Sequence, residues 1–274
     1  MKVETDELFE HFNGSNIIEK DDTIYDMHSI KRELCSILNG SPKNILLSHE
    51  PLTGHHYKTN FPNRTQIARR LKEIGIHKII ITIRNQCDVL ESTYKQYVKS
   101  GGVLKFSEYF NFTAKGNTYF NLEYFNYFNI INLYSRIFGK ENLLVLQHED
   151  LIYKNNVFFN DLFDFLEIIS QDFSLELKKN INKSLSRGAT ELLRIINHFT
   201  YNSYRSSHLI SKRISTNLFY RILIRISSTK RKKTFINAEY EKIINNFFCE
   251  SNQRTEEKYG IKLHQKYATK AVTI

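Results

Sequence analysis

The stretch that decides the fold is HKIIITIRNQCDVLESTYKQYVKSGG, the range His77–Gly102. Its β-branched run, 79–83, is typical of a strand that is buried on both faces of a parallel sheet. Asn85 is typical of a helix N-cap, Asp88 stands where a capping box has its second member, and Gly101 predicts the helix stop. The stretch therefore predicts a strand, an arginine at its carboxyl end, and a helix.

Two polar residues of this stretch are candidates for binding an anion. Arg84 stands where the predicted strand ends, and Ser92 lies two turns up the predicted helix. Open α/β sheets bind ligands at the carboxyl ends of their strands, and a helix N-terminus offers N–H groups and a positive dipole to an anion. A surface arginine that begins a loop is the alternative. From the residues alone, both interpretations stay open.

Two more apolar runs, 44–48 and 142–146, predict further buried strands. Between and around the strands, the sequence predicts a mainly helical region, 1–40, and helices at 63–75, 122–138, 156–166 and 237–259. A further helix is predicted to start at Ser184 or Ser186. Alternating strands and helices imply crossover connections. The sequence therefore predicts an α/β fold in which a parallel sheet is flanked by helices. Because it has no internal repeat and no Gly/Ser-rich linker, we expect one domain over 1–274.

The composition favours a folded protein that binds anions. Of the 274 residues, 41% are hydrophobic, which argues for a packed core, and the net charge of +10 attracts anionic partners. Three widely spaced cysteines argue against a disulfide scaffold or a metal site and favour a reducing, cytoplasmic location. No apolar run reaches transmembrane length, and the N-terminus, MKVETDELF, does not have the pattern of a signal peptide.

One segment carries a concentrated positive charge. The range 201–233 contains nine Lys or Arg residues and no Asp or Glu. Within it, an apolar stripe at helical spacing lies beside Arg221 and Arg225, and its members are Leu218, Phe219, Ile222, Leu223 and Ile226. Three interpretations are open: an interfacial helix on an anionic membrane, a nucleic-acid contact, and a packed helix with a basic rim around a cleft for acidic glycans. The third is favoured.

The motif around Arg84 resembles the 3′-phosphate-binding segment of sulfotransferases that use PAPS (3′-phosphoadenosine 5′-phosphosulfate). In that segment an arginine ends a buried strand, asparagine follows it, and an aspartate and a serine stand four and eight residues after the arginine. Arg84, Asn85, Asp88 and Ser92 match this spacing, while Gln86 replaces a proline that the family often has. The resemblance implies that Arg84 and Ser92 bind the 3′-phosphate of the donor.

Other blocks occur in the family's order and cover most of the chain: NILLSHEPLTG, LLVLQHEDL, FFNDLFDFLEI, NKSLSRGATELLRIIN and EEKYGIKL. The resemblance therefore implies a sheet of the P-loop-NTPase-like type. In the fourth block, Arg187 and Gly188 resemble a Lys/Arg-Gly loop that some members place on the 3′-phosphate. A simple helix start at Ser186 is the favoured alternative.

The family opens with a strand and a loop of the pattern Lys/Arg-Ser/Thr-Gly-Thr-Thr, which wraps the 5′-phosphosulfate. No such run occurs in this sequence, and neither does a Walker A pattern. We therefore expect the first strand and the phosphate loop to be absent, a loss of about 20–30 residues. On this expectation the chain as written is poorly soluble and inactive with PAPS, either as a truncated member or as a degenerate one.

A hydroxyl acceptor needs a general base, and the resemblance implies one directly after the predicted strand 44–48. Glu50 is the first choice and His49 the second, and because side chains alternate along an extended chain only one of them faces the cleft. The alternative is that Glu50 caps a neighbouring loop. The later range 148–150, which reads HED, is interpreted as a structural strand end and helix start.

These features predict a sulfotransferase that moves a sulfuryl group from PAPS to a hydroxyl, with a carbohydrate or glycan as the expected acceptor. The donor leaves as PAP (adenosine 3′,5′-bisphosphate), and no metal is expected. One alternative is an inactive relative; another is a basic protein that binds an anionic glycan, a membrane or, least favoured, nucleic acid. A P-loop kinase is weaker, because Walker A and its lysine are absent. The expected location is cytoplasmic, with a peripheral membrane contact through 201–233 as an option.

Overall fold

The computed structural model describes residues 25–39, 47, 52, 64–110, 120–167, 185–200, 216–226 and 234–263. The chain divides into two compact units, one of 1–81 with 127–146 and one of 82–126 with 147–274. That the whole of 1–274 is one domain stays a prediction.

The helices and strands of these residues, in chain order, are α1 (Met27–Asn39), α2 (Arg64–Glu73), β1 (Ile79–Ile83), α3 (Gln86–Lys99), α4 (Phe106–Phe110), α5 (Tyr127–Phe138), β2 (Leu143–Gln147), α6 (His148–Tyr153), α7 (Asn155–Leu166), α8 (Arg187–Asn197), α9 (Thr216–Ile226) and α10 (Ala238–Tyr259). Short 3₁₀ turns lie at Leu122–Phe125 and Lys140–Asn142.

β1 and β2 are hydrogen-bonded neighbours in a small parallel sheet, which confirms the mixed α/β class for the described residues. β1 has the predicted bounds, and β2 begins one residue later than predicted. The predicted strand 44–48 lies outside the described residues except for Leu47. The prediction that β1 is buried on both faces is wrong at Thr82, which is exposed, whereas its neighbours Ile81 and Ile83 are buried. Alternate side chains of a strand point to opposite faces, so Thr82 lies on the other face of the sheet.

α2 and α5 pack against each other in the first unit. α2 contributes Ile67 and Leu71 and α5 contributes Ile131, and all three side chains are buried. The Tyr134 hydroxyl, also on α5, donates to the Leu52 carbonyl at 2.9 Å. Burying an aliphatic side chain contributes about 1.5–3 kcal/mol, so apolar packing of the two helices is a main source of stability here.

α3 is the helix on which the second unit is assembled, because α8, α9 and α10 all contact it. Its side chains Leu90, Tyr94 and Val98 are fully buried. Tyr94 meets the rings of Phe106 and Phe235 edge to face, at centroid distances of 5.2 and 4.9 Å. Such pairs add about 0.5–1.5 kcal/mol beyond the area that they bury.

The C-terminal end of α3 is held by α8. Asn197 Nδ2 donates to the carbonyls of Val98 and Gly102, at 2.8 and 2.9 Å. These bonds use carbonyls at a helix end, where the backbone lacks intrahelical partners. Gly101 has φ +104°, in agreement with the predicted stop, and the turn needs glycine at 102 because a Cβ there would overlap the Tyr97 ring.

Two helix predictions need correction. The predicted helix 122–138 is interrupted at Asn126, whose backbone is extended, so that a 3₁₀ turn precedes α5. The Asn126 side chain donates to Glu123 and accepts from Ser251 Oγ of α10 at 2.7 Å, and these bonds stabilise the break. In α10, helical spacing predicts one apolar face made of Tyr240, Ile243, Ile244, Phe247 and Phe248. That face is only partly inward, since Ile244 and Phe248 are buried and Phe247 is exposed.

α9 is the described part of the basic segment 201–233. Its Leu223 is buried while Arg221 and Arg225 are exposed, so one side of the helix packs and the other carries charge. Ile222 of the predicted apolar stripe is also exposed, so the packed side of α9 is narrower than predicted, and the three interpretations of the segment stay predictions. Among the helices that the structure describes, none is both long enough and apolar enough to cross a membrane.

Candidate functional site

The turn between β1 and α3 is built by Asn85. Its side-chain oxygen accepts from the backbone N–H groups of Cys87 and Asp88, at 3.0 and 3.3 Å, which confirms the predicted N-cap. Its own N–H donates to Glu149 Oε1 at 2.9 Å. In a capping box, the Asp88 side chain would accept the Asn85 N–H. Here the acceptor is Glu149 instead, a residue that follows β2.

Glu149 is a positioning residue that the sequence interpretation left as a structural strand end. It lies in the first turn of α6, only 5% of its surface is exposed, and its carboxylate is bonded to the turn that carries Arg84. The ends of β1 and β2 are therefore joined through Asn85 and Glu149. The spacing around Arg84 contains no signal for this contact, because the partners are 64 residues apart.

Arg84 lies between β1 and the cap of α3, and its guanidinium reaches the first turn of the helix. Its Nη2 atom lies 3.9 Å from Asp88 Oδ2, a long ion pair of a type that contributes at most about 0.5 kcal/mol at a surface. The Arg84 side chain is 34% exposed. A dissolved anion can therefore reach the guanidinium beside the N-terminus of α3.

Ser92 is exposed on α3, one turn beyond Asp88. Residues four apart share a helix face, so Asp88 and Ser92 lie on one line, and the Arg84 guanidinium reaches Asp88 at the start of that line. From the first helical residue, Gln86, to Ser92 the six steps span about 9 Å of helix axis, and Arg84 lies before the helix. An anion that contacts both Arg84 and Ser92 must therefore lie over the first turns of α3, with the arginine side chain covering part of the distance.

Arg187 and Gly188 form the start of α8. Ser186 caps this helix, since its Oγ accepts from the Ala189 N–H at 3.3 Å, and the favoured helix start is confirmed. Arg187 Nη1 donates to the Thr234 carbonyl at 3.2 Å. Gly188 is exposed, and a Cβ added there would meet open space. Neither crowding nor a positive φ requires glycine at this position.

A chain of contacts brings Arg187 to the turn of α3 that carries Ser92. Thr234, whose carbonyl binds Arg187, uses its hydroxyl to bond the Glu91 carboxylate. Glu91 also pairs with Lys95 at 2.6 Å. Arg187 and Ser92 thus lie near the same helical turn. The ion pair of Glu91 and Lys95 can be predicted from sequence, because opposite charges four residues apart meet on a helix. The bond between Thr234 and Glu91 has no such sequence pattern.

Cys87 lies in the first turn of α3 but cannot serve as a nucleophile. Burial, aided by nearby carboxylates, raises the pKa of its thiol to about 12, so that the reactive thiolate is scarce at neutral pH. His49 and Glu50 lie outside the described residues. Their assignment as candidate bases stays a prediction.

The family model described as the sulfotransferase domain matches residues 75–266, which is more than half of the chain. The chain belongs to the sulfotransferase domain family. This sulfotransferase-domain chain is also 29% identical over 131 residues to an uncharacterized protein of Archaeoglobus fulgidus. That match covers 47% of this chain and 33% of the relative. No solved structure matches the chain.

Family membership bears on the site in one respect. The match includes Arg84, Ser92, Arg187 and Gly188 and begins after His49 and Glu50. A sulfotransferase domain moves a sulfuryl group from a donor nucleotide to an acceptor. At the start of α3, Arg84 supplies a partly exposed positive charge and Ser92 an exposed hydroxyl, while the N–H groups of Cys87 and Asp88 are bonded to Asn85.

Proposed function

We propose that this chain transfers a sulfuryl group from PAPS to a hydroxyl group of a carbohydrate. The observation that carries the proposal is the position of Arg84. It follows a sheet strand, lies beside the capped N-terminus of α3, and its guanidinium reaches Asp88, on the helix face that Ser92 shares. Membership of the sulfotransferase domain family supports the reaction class.

In this proposal the first turns of α3 hold the 3′-phosphate of the donor. The Arg84 guanidinium can bind two phosphate oxygens at once, and the Ser92 hydroxyl donates to a third. The positive end of the α3 dipole adds to the attraction. Arg187 and Gly188 offer a second contact from the start of α8, where the small residue leaves room for a ligand.

The reaction needs a base as well as a phosphate site. The acceptor oxygen attacks the sulfur, the bond from sulfur to the 5′-phosphate oxygen breaks, and PAP leaves with the bond's electron pair. We assign the acceptor's proton to Glu50, with His49 as the second choice. Glu50→Gln would lower turnover and leave the affinity for PAP unchanged, because the carboxylate acts only on the acceptor.

A specific observation favours a second candidate function. The sequence contains no Lys/Arg-Ser/Thr-Gly-Thr-Thr run for the 5′-phosphosulfate. A relative that binds PAP or a similar nucleotide without transferring sulfate would keep the α3 site and lack that run. A cytoplasmic location is proposed for either function, since Cys35 and Cys249 are exposed free thiols, a state that a reducing compartment maintains.

Calorimetry with PAP tests the site. A charged hydrogen bond contributes about 1.5–3 kcal/mol, so Arg84→Ala should weaken binding roughly 10- to 150-fold. Ser92→Ala removes one donor to a charged phosphate oxygen and should weaken binding by roughly tenfold or more. Arg254→Ala is the matched control, because Arg254 is an exposed arginine of α10 with a similar long ion pair, to Glu250 at 3.8 Å.

Equal affinities for Arg84→Ala and Arg254→Ala would remove the assignment of the 3′-phosphate to α3. Transfer of labelled sulfate from PAPS to a panel of glycans then separates the two candidate functions. Transfer that depends on Arg84 supports the enzyme, whereas PAP binding that depends on Arg84 without any transfer supports the nucleotide-binding relative.

A further inference from the structure

α8 is amphipathic in the opposite sense to an ordinary surface helix. The side chains that it buries against the second unit are mainly polar: Thr190, Asn197 and, just after the helix, Thr200 are fully buried, together with Leu193. Their polar atoms are used, because Thr190 Oγ1 donates to the Ser186 carbonyl at 2.9 Å and Asn197 bonds the end of α3. Polar contacts thus fix this side of α8.

The outer side of α8 carries large apolar side chains. Leu192, Ile195 and Phe199 are 48%, 49% and 45% exposed. Phe199 stands two residues past the end of α8, where its N–H still donates to the Ile196 carbonyl at 3.0 Å. The spacing of three and four residues therefore places the three side chains in one stripe. Single exposed apolar residues are normal, but a stripe of three on a helix that turns polar residues inward indicates a surface that meets an apolar partner.

The neighbouring helix adds positive charge to this surface. α9 packs on α8, and its exposed residues include Ile222, 46% exposed, with Arg221 beside it and Arg225 one turn away. α9 belongs to the segment 201–233, which has nine Lys or Arg residues and no acidic residue. The two helices therefore combine exposed apolar side chains with a basic environment.

We propose that the α8–α9 face, which consists of Leu192, Ile195, Phe199, Arg221, Ile222 and Arg225, binds the surface of bilayers that contain anionic lipid. Apolar side chains of such a face enter the boundary between headgroups and acyl chains, and arginines beside them bind lipid phosphates. The proposal uses none of the residues assigned to PAP. It therefore stands or falls independently of sulfuryl transfer.

Charge complementarity selects a membrane over other occupants of the face. In a two-fold dimer, the same surface patch of each copy meets, so the interface would bring together four arginines, and the face contains no acidic residue to pair with them. A nucleic acid would pair with the arginines but would leave the stripe of Leu192, Ile195 and Phe199 in water. An anionic bilayer satisfies both the apolar and the charged groups.

Flotation of the full chain with lipid vesicles tests the proposal. We expect binding to vesicles of phosphatidylcholine with phosphatidylglycerol, weaker binding at high NaCl, and little binding to phosphatidylcholine alone. The double variant Arg221→Gln/Arg225→Gln should bind roughly 30-fold more weakly, at about a fivefold loss for each charge near the surface. The triple variant with Leu192, Ile195 and Phe199 replaced by serine should lose at least roughly tenfold.

Matched controls separate this face from general changes of charge or hydrophobicity. Arg254→Gln/Lys258→Gln removes two exposed charges from α10, and Ile152→Ser/Val157→Ser removes two exposed apolar groups from α6 and α7. Both control variants should bind like the parent. Circular dichroism checks that every variant is folded, and the single variant Ile195→Ser replaces the triple variant if the latter unfolds.

Three results would overturn the proposal. The first is that the parent chain does not float with anionic vesicles. The second is that the face variants lose no more binding than the control variants. The third is that the parent is a dimer in buffer, and that the serine variant is a monomer with unchanged vesicle binding. The last result would mean that a second copy covers the face. Oligonucleotide binding that depends on the arginines alone, without vesicle binding, would indicate nucleic acid instead.

Discussion

Replacing Glu149 by alanine should destabilise the protein more than any other single carboxylate change that we propose. The carboxylate is buried and accepts the Asn85 N–H at 2.9 Å, so Glu149→Ala leaves a part-buried donor without this acceptor. Losing a partner in this way costs about 1–3 kcal/mol, and a negative charge at a helix N-terminus adds about 0.3–1 kcal/mol. We therefore expect a loss of about 2–3 kcal/mol in the free energy of unfolding.

Calorimetric or dichroic melting measures this loss. At about 2–4 °C per kcal/mol for a protein of this size class, Glu149→Ala should lower Tm by roughly 4–12 °C. Glu149→Gln keeps an acceptor oxygen in place and should lose only the part that is due to charge, about 1 kcal/mol or less. Glu250→Ala, an exposed carboxylate on α10, is the control and should change Tm by little.

Binding of PAP to the same variants gives an independent readout. Glu149→Ala loosens the turn that carries Arg84 and should weaken PAP binding. Glu149→Gln preserves the turn and removes a negative charge near the phosphate site, so PAP should bind as well as before or more tightly. If Glu149→Ala melts like Glu250→Ala and binds PAP like the parent, Glu149 does not position the turn.

Two further predictions concern glycine and cysteine. Gly102→Ala should lower the free energy of unfolding by about 1–3 kcal/mol, because the added Cβ overlaps the Tyr97 ring. Gly188→Ala should leave the melting temperature unchanged or slightly higher, because the added Cβ meets open space. If the start of α8 contacts the ligand, the same variant should bind PAP more weakly. In a thiol titration of the native protein at pH 8, Cys87 should react last, because burial and a raised pKa keep its thiol protonated. Cys35 and Cys249 are exposed and should react first. Equal rates for all three cysteines would contradict this prediction.

The parts of the fold that sequence predicted well are local. β1 has the predicted bounds, and the caps at Asn85 and Ser186 are where the pattern of polar residues before apolar runs indicated. A capping side chain bonds N–H groups two or three residues away, so the signal and the structure lie in the same few residues. The α/β class and the position of Arg84 at a strand end follow from such local signals.

The parts that sequence missed depend on partners far along the chain. Asn126 interrupts a helix because Ser251 bonds its side chain, and Glu149 completes the cap of Asn85. α8 has an apolar spacing that predicts a core face, yet Asn197 is buried because the end of α3 presents carbonyls to it. The spacing of residues along the sequence cannot show which distant segment supplies hydrogen-bond partners to a buried polar side chain.

The attachment of α3 at both of its ends has a consequence for how a ligand would be received. Helix ends commonly fray, but here Glu149 holds the first turn through Asn85 and Asn197 holds the last turn through Val98. The residues of the turn that carries Arg84 are therefore ordered before any anion arrives. The entropy of ordering them is lost during folding, so an arriving phosphate meets a preorganised site.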